Sequence, residues 1–317
     1  MSSINTNVAA ITALQSLNFA QSQLVRAENR VATGERVATA QDNAAYWSIA
    51  TTMRSDNGAL TAVKDALSLG SATADVAYTG INNSIKLLDQ IKRKLVAARE
   101  PGVDRSKIQN DIAALQSELR NVAQTANFSG QNWLNIDTSG GTDTSVQIVS
   151  SFSRDSTMTV VVGKISFNLY TAATGQTTAL YDANPSAAAK AGQLDRQHTA
   201  ASGSTYTIDT LDMHALSDSA ADLADLDSYI QGVETTILRL TDSATALGYV
   251  KLRIDLQKGF VSDLMSTVQK GVSQLVDTNM DEESTRLQAL ETKQSLGVQS
   301  LSIANNSSQS ILKLFTG

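Results

Sequence analysis

Over two long stretches of the chain, apolar residues recur at alternating three- and four-residue steps, the spacing of a helix with one buried stripe. In the first stretch Leu60, Leu67, Ala74, Ile81, Leu88 and Leu95 stand seven apart, with Val63, Gly70, Ala77, Ser84, Ile91 and Ala98 as companions. At roughly 1.5 Å per residue this predicts a helix of about 60 Å. Glu100-Pro101-Gly102 closes it, because proline lacks a donor and glycine accepts the turn. Ile108, Ile112, Leu115, Leu119 and Val122 then mark one face of a shorter helix, expected to return antiparallel.

The second stretch is longer. Leu226, Val233, Leu240, Leu247, Ile254, Val261, Val268 and Leu275 are seven apart, and Ile230, Ile237, Ala244, Lys251, Lys258, Met265 and Val272 run beside them. A rod of more than about 70 Å follows; alone it is unstable, so its stripe must bury against other helices. In the N-terminal segment Ala10, Leu17, Leu24 and Val31 are seven apart, with Gln21 and Glu28 in the partner series and Ile4, Val8, Ile11 and Leu14 off the stripe. The C-terminal run puts Leu287, Leu290, Leu301, Ala304 and Ile311 on one side and Leu296 and Ile303 on another. Apolar residues that face several ways call for a second burial partner, for which another subunit is the simplest source. The competing reading is two frayed amphipathic tails.

From about residue 135 to 222 the pattern changes. Ser139-Gly140-Gly141-Thr142 opens a polar region, followed by period-two alternation at Val146 and Ile148, at Met158, Val160 and Val162, and at Ile165, Phe167 and Leu169. Gly163-Lys164 reads as a turn between the last two groups, and Asn184-Pro185 with Ala187-Ala188-Ala189 as loop or short helix. The fold class expected is mainly α: a long antiparallel helical bundle or coiled coil formed by both chain ends, with a small β-rich or mixed outer segment inserted in the middle.

Composition narrows the chemistry. The 317 residues carry a formal net charge of −6 and no basic tract, which argues against a nucleic-acid partner. With no cysteine, disulfides, thiolate zinc sites and cysteine nucleophiles are excluded. No apolar run approaches the roughly 18–20 residues of a membrane span, and Met1 to Asn7 has neither the basic residue nor the following apolar core of a cleavable signal. Only His198 and His214 are present, without a His-Glu-x-x-His pair, a glycine-rich phosphate loop or a Gly-x-Ser-x-Gly elbow. The histidines read as polar surface, and Asp218, Asp222, Asp225 and Asp227 as a solvated helix start near a positive dipole end. Neither catalysis nor a cofactor nor a metal site is expected.

Several separated elements resemble one family, in order along the chain. Ile4-Asn5-Thr6-Asn7 is followed by Val31-Ala32-Thr33-Gly34-Glu35-Arg36-Val37-Ala38-Thr39-Ala40-Gln41-Asp42-Asn43-Ala44-Ala45, and later by Asn127-Phe128-Ser129-Gly130-Gln131-Asn132-Trp133-Leu134. The end runs from Gln294-Ser295-Leu296 through Ile303-Ala304-Asn305 to Gln309-Ser310-Ile311-Leu312-Lys313-Leu314-Phe315. These resemble bacterial flagellin, the subunit of the flagellar filament, over roughly 1–135 and 225–317. Tyr46-Trp47-Ser48-Ile49-Ala50 departs from the common pattern and resembles the version in rhizobial and related alphaproteobacterial flagellins, some of which build ridged "complex" filaments.

The resemblance implies a structural polymer whose ends fold on assembly: 1–40 and 285–317 as the terminal coiled coil of the filament's inner core, 41–135 and 225–284 as the outer long-helix bundle, and 136–224 as the surface-exposed segment. It implies Ile4, Val8, Ile11, Leu14, Leu17, Leu24, Leu296, Leu301, Ile303, Ile311, Leu312, Leu314 and Phe315 as filament-core residues. Arg36, Asp42, Tyr46 and Trp47 would pack the loop or contact a neighbouring subunit. The implied partners are further copies of the chain or sister flagellins, the flagellar export apparatus and an export chaperone, the filament cap, and the hook-associated junction proteins. The location is the extracellular filament, reached without a cleaved signal. A hook–filament junction protein is the alternative. The patch through which an innate-immune Toll-like receptor detects many flagellins corresponds to Gln90, Ile91, Lys92, Arg93, Lys94 and Leu95; Ile91 stands for an arginine and Lys94 for a glutamate, so weak recognition is expected.

Overall fold

The computed structural model describes residues 6–155, 157, 159–186 and 190–316, without the side chains of 308, 309 and 311–316. Among the described residues, five helices and seven strands run in the order α1 (Val8–Thr33), α2 (Ala44–Ala97), α3 (Arg105–Thr125), β1 (Asn135–Ile136), β2 (Thr144–Arg154), β3 (Val160–Thr171), β4 (Gln176–Thr177), β5 (Tyr181–Asp182), β6 (His198–Thr199), β7 (Thr205–Tyr206), α4 (Ala220–Val276) and α5 (Met280–Thr316). They form two compact units, one of residues 59–264 and one of residues 1–58 with 265–317. The mainly helical fold with a small strand-bearing insertion is the one expected. Ala187-Ala188-Ala189 and Met158 lie outside the described residues.

In the unit of residues 59–264, the heptad reading of α2 holds at every position from Leu60 to Ala98: Leu67, Ile81, Leu88, Ile91 and Leu95 are fully buried. Polar Ser84 joins the stripe because its hydroxyl donates to the Gly80 carbonyl one turn back. On α4 the main series is buried from Leu226 to Val261; of the expected companion series in this unit Ala244 is buried, but the other buried positions lie one residue earlier than expected. Tyr229, Thr236, Ser243 and Val250 are buried, whereas Ile230, Ile237 and Lys251 are only half-buried. Threonine and serine are tolerated there because their hydroxyls bond the carbonyls of Gly232 and Arg239. Lys251 thereby turns its ammonium to Asp75, over the ring of Tyr78. Lys92 pairs with Glu234 at 2.9 Å and Arg99 with Asp227 at 2.7 Å, so α2 and α4 run antiparallel.

The buried face of α3 carries more polarity than its apolar spacing predicts. Gln109 and Gln116 are buried, and their amides donate to the carbonyls of Leu211 and Ile208 at 2.9–3.1 Å, while the Met213 N–H donates back to Gln109. These bonds fasten the strandless segment before α4 to the helix. The aspartates read as a solvated helix start are largely engaged. Asp218 pairs with Arg105, Asp222 accepts from the Ser217 backbone and Asp227 holds Arg99, while Asp225 is buried and accepts the Ser202 N–H at 2.7 Å.

In the middle segment β2 and β3 make one antiparallel hairpin, and the expected turn at Gly163-Lys164 is absent. Gly163 lies inside β3, opposite Ser151 at a register shift, so the glycine serves a bulge instead. The chain reverses earlier, where Asp155 accepts the N–H groups of Thr157 and Thr159. The hairpin packs on α2 through Ile148, whose side chain fills the space at Gly70, and Leu134 fills that at Gly80. A Cβ at Gly70 would lie 2.7 Å from Ile148 and one at Gly80 2.5 Å from Leu134, so the two glycines allow this close approach without displacing those side chains. Beyond β4, Leu180, Leu194, Ile208 and Leu211 are fully buried, and β5 pairs parallel to β1.

Asp182, 2% exposed, holds this part together. Burial pushes its pKa up, but the Thr138 hydroxyl and the N–H groups of Ala191, Thr138 and Asn184 outweigh that and hold the carboxyl below the usual range. A depressed folded-state pKa adds stability above the unfolded value near 3.8, lost as the pH falls through the folded value. Burial raises neighbouring Asp195 instead, so its contribution is present at low pH and lost as the pH rises. Asp182→Asn is expected to cost about 2 kcal/mol at pH 7 and to flatten the acid limb of a stability–pH curve measured by urea unfolding. An unchanged limb would assign the acid sensitivity to other carboxylates.

Candidate functional site: the paired chain ends

The unit of residues 1–58 and 265–317 is built on α1 and α5. Asn7 caps α1, its side chain accepting the Ala10 N–H at 3.0 Å, and its amide donates to the Ala304 carbonyl at 2.9 Å. Leu17 meets Gly297, and Arg30 lies 3.8 Å from Glu283, so the two helices are antiparallel. Asn279 starts α5 with Asp281, Glu282 and Glu283 in its first turn, where the helix dipole favours negative charge.

The seam between them follows a heptad. On α1 the inward positions are Ala10, Ala13, Leu17, Ala20, Leu24, Ala27 and Val31; on α5 they are Glu283, Leu287, Leu290, Gln294, Gly297, Leu301 and Ala304. The partner series of α1 is therefore Ala13, Ala20 and Ala27, not Gln21 and Glu28, which face out. Alanine was easy to miss, being neither strongly apolar nor polar, yet Ala20 and Ala27 are each 1% exposed. Small residues on α1 let the helices approach closely while the leucines of both fill the gaps.

Leu17, Leu24 and Leu301 therefore pack within the chain. Val8, Ile11, Leu14, Leu296 and Ile303 do not: Val8 is 67% exposed, Ile303 70%, and Ile11 and Leu14 47% each. Phe19, Val25 and Val298, which sequence reasoning passed over, are also exposed. Beside this row lies a groove of about 690 Å³ floored by small residues, among them Ala9, Thr12, Ser16, Gly297 and Ser300. Ridges of another helix fit such a groove. Ile4 lies outside the described residues, as do the side chains of Ile311, Leu312, Leu314 and Phe315.

The motif loop between α1 and α2 is a second feature of the same unit. Gly34 ends α1 at φ +72°, the left-handed cap that glycine adopts without strain. The Arg36 and Val37 N–H groups donate to the Val276 carbonyl, the Thr278 N–H to the Gly34 carbonyl, and the Arg36 guanidinium to the Leu275 carbonyl at 3.1 Å. Arg36 thus satisfies and neutralises the negative end of α4. Val37 is buried with Ala50, Val272 and Val276, and Glu35 pairs with Arg54 at 2.5 Å. Asp42 accepts the N–H and hydroxyl of Thr39 at 3.0 Å, and those bonds hold its carboxyl below the usual range. Asn43 then caps α2. Tyr46 and Trp47 remain 41% and 37% exposed in its first turn, next to Ile49 at 50%.

Gln90, Ile91, Arg93, Lys94 and Leu95 lie on α2 in the other unit. Ile91 and Leu95 are buried, Lys94 pairs with Asp111 at 2.5 Å, Arg93 pairs with Asp89 at 2.8 Å, and Gln90 is exposed. No helix among the described residues is long and apolar enough to cross a membrane.

Comparison with known proteins places these features in one family. The model of the bacterial flagellin N-terminal helical region matches residues 4–138, and that of the C-terminal helical region matches 230–315. Flagellin C of Rhizobium meliloti is 45% identical over 99% of both chains. The flagellin of Brucella melitensis is 39% identical over the full length of both, and flagellin A of R. meliloti 38% identical over 99% of this chain and 100% of its own. Matched at both helical ends and along nearly its whole length, the chain belongs to the bacterial flagellins, the structural subunits of the flagellar filament.

Proposed function

We propose that the chain joins the filament by burying the outward apolar row of α1 and α5 against neighbouring copies, with both terminal segments completing their folding as they do so. The observation that carries this is an antiparallel helix pair that satisfies one seam internally and leaves Val8, Ile11, Leu14, Leu296 and Ile303 in water beside a small-residue groove. Single exposed apolar residues are ordinary; a row of them on paired helices marks an interaction surface. On this reading 1–40 and 285–317 form the inner core of the filament, 41–135 and 225–284 its outer helical layer, and 136–224 its outward face. Tyr46, Trp47 and Ile49 make a further contact between copies. Export precedes assembly, and the chain meets the export apparatus and its chaperone, then the junction and cap proteins at the filament's two ends.

Depolymerised protein returned to assembly conditions is expected to give long tubular filaments by electron microscopy, with a gain of helix by circular dichroism. A stable monomer of unchanged helicity would overturn the assembly reading. Deletion of 306–317 is expected to leave a soluble helical monomer that forms none.

The receptor-equivalent patch supports weak immune detection. Two of its six positions face the core and Lys94 presents a charge opposite to the family's glutamate, which in an interface costs several kcal/mol. Purified protein is expected to activate a Toll-like receptor reporter line feebly; potent activation would reject this.

A further inference from the structure

A cleft of about 800 Å³ opens between the β3–β4 edge and α4, within the unit of residues 59–264. Two guanidinium groups enter it. Arg196 is half-buried and anchored, its Nη2 donating to the carbonyl of Gly175 and its backbone N–H to that of Gly192. Arg239, on α4, is half-buried, and its guanidinium makes no hydrogen bond or ion pair among the described residues. Asp242, one turn further on, is exposed and forms no ion pair with it.

Burial and Arg239 together push the Arg196 pKa down, and Asp195 offsets them only in part; two like charges held out of bulk water are thus a cost to the fold that the carboxylates nearby do not remove. The cost extends to a third group. His198, read from the sequence as polar surface, is half-buried, with its ring stacked 5.4 Å from Tyr206 and a buried Nε2 that has no partner. Burial, then Arg239 and Arg196, hold its pKa below the usual histidine value. Behind Arg196, Gln193 is 5% exposed; its amide donates to the Thr177 carbonyl, and its Oε1 is unpartnered.

A bound oxyanion would remove this conflict, since the planar guanidinium fork matches a carboxylate or phosphate. The rest of the lining describes the body attached to that anion: hydroxyls and amides such as Asn168, Gln176 and Ser243, with one half-buried aromatic ring, Phe167. Hydroxyls and amides exchange hydrogen bonds with sugar hydroxyls, and an aromatic face covers the apolar face of a pyranose. We propose that this cleft binds an acidic saccharide, its carboxylate held between Arg196 and Arg239.

The test uses full-length depolymerised protein titrated calorimetrically with trigalacturonate, its methyl ester and inorganic phosphate. The ring C–H signals of the two histidines are followed by NMR. Trigalacturonate is expected to bind and to shift His198 while His214, exposed and paired with Asp212, stays fixed. The ester, stripped of charge, and phosphate, stripped of the sugar, are each expected to bind at least roughly tenfold more weakly. Arg239→Gln, chosen because the guanidinium it removes bonds nothing among the described residues, is expected to keep the circular dichroism of the parent and lose at least about tenfold in affinity. Arg239→Lys is expected to retain part of it. Equal binding of the ester, phosphate binding as tightly as the uronate, an unaffected Arg239→Gln variant, or no binding with His198 unmoved would each overturn the proposal.

Discussion

Replacing Ile11 and Leu14 together with aspartate is expected to leave a monomer with the circular dichroism of the parent and no filaments at concentrations where the parent polymerises. Both side chains are 47% exposed and lie outside the α1–α5 seam, so little contact within the chain is lost. Exposed substitutions of this kind usually change stability by less than about 0.5 kcal/mol. On the assembly proposed above, the exposed half of each side chain is buried against a neighbour, which contributes about 0.7–1.5 kcal/mol apiece. The pair therefore removes roughly 1.5–3 kcal/mol per joining subunit, before the cost of placing a carboxylate in an apolar contact. At 1.4 kcal/mol per factor of ten, the critical concentration rises by about tenfold to a hundredfold, and further with the buried carboxylates. Pelleting and negative-stain microscopy across a concentration series check this. Filaments at the parental critical concentration would show that this face does not enter the interface.

The seam, by contrast, answers to volume. Ala20 and Ala27 are each 1% exposed opposite α5, so enlarging them strains the monomer itself. The two sets of substitutions on one helix thus separate folding within the chain from association between chains.

Why some of this was legible from the residues and some was not follows from what carried each contact. The stripe of α2 was readable from Leu60 to Ala98 because large apolar residues recur at the helical period and all of them are buried. The motif loop was readable as a constellation, although the spacing alone could not reveal that Arg36 satisfies the last carbonyls of α4. The second stripe of α4 was missed because Thr236 and Ser243 look polar, and their hydroxyls hide in bonds to their own helix. Likewise, the alternation weakens from Thr171 to Asp209 because polar side chains bonded to backbone hold that region and the residues just after it: Asp182 gathers three N–H groups, and Gln109 and Gln116 bind Leu211 and Ile208 to α3. Such bonds have no period, so no window of hydropathy finds them. For the candidate assembly face the chain's asymmetry was visible as apolar residues off the stripe, but which of them turn inward depended on α5 as much as on α1.

Arg105 is where the same kind of hidden polarity should have its largest effect on stability. It is the first residue of α3, 7% exposed, and its guanidinium reaches three acceptors on two other segments. Nε donates to the Ala98 carbonyl at the end of α2 at 3.0 Å, Nη1 to Leu216 at 3.4 Å and Nη2 to Asp218 at 2.6 Å, while Asp218 also accepts the Gly102 N–H at 3.2 Å. Arg105→Ala leaves two backbone carbonyls without their donor, at about 1–3 kcal/mol each, and empties the space the stem filled. A loss of about 2–4 kcal/mol is expected from urea unfolding of the monomer, with an unchanged denaturant slope. Arg105→Lys should recover less than half of it, because one ammonium on a flexible stem cannot serve acceptors in three directions. Asp218→Asn should matter less: Asp218 is half in water, so its amide oxygen keeps one of the two bonds, to Arg105 Nη2 or the Gly102 N–H, and water takes up the other. Equal losses in Arg105→Ala and Asp218→Asn would mean that the ion pair, rather than the two carbonyls, holds the elbow between α2 and α3 to the start of α4.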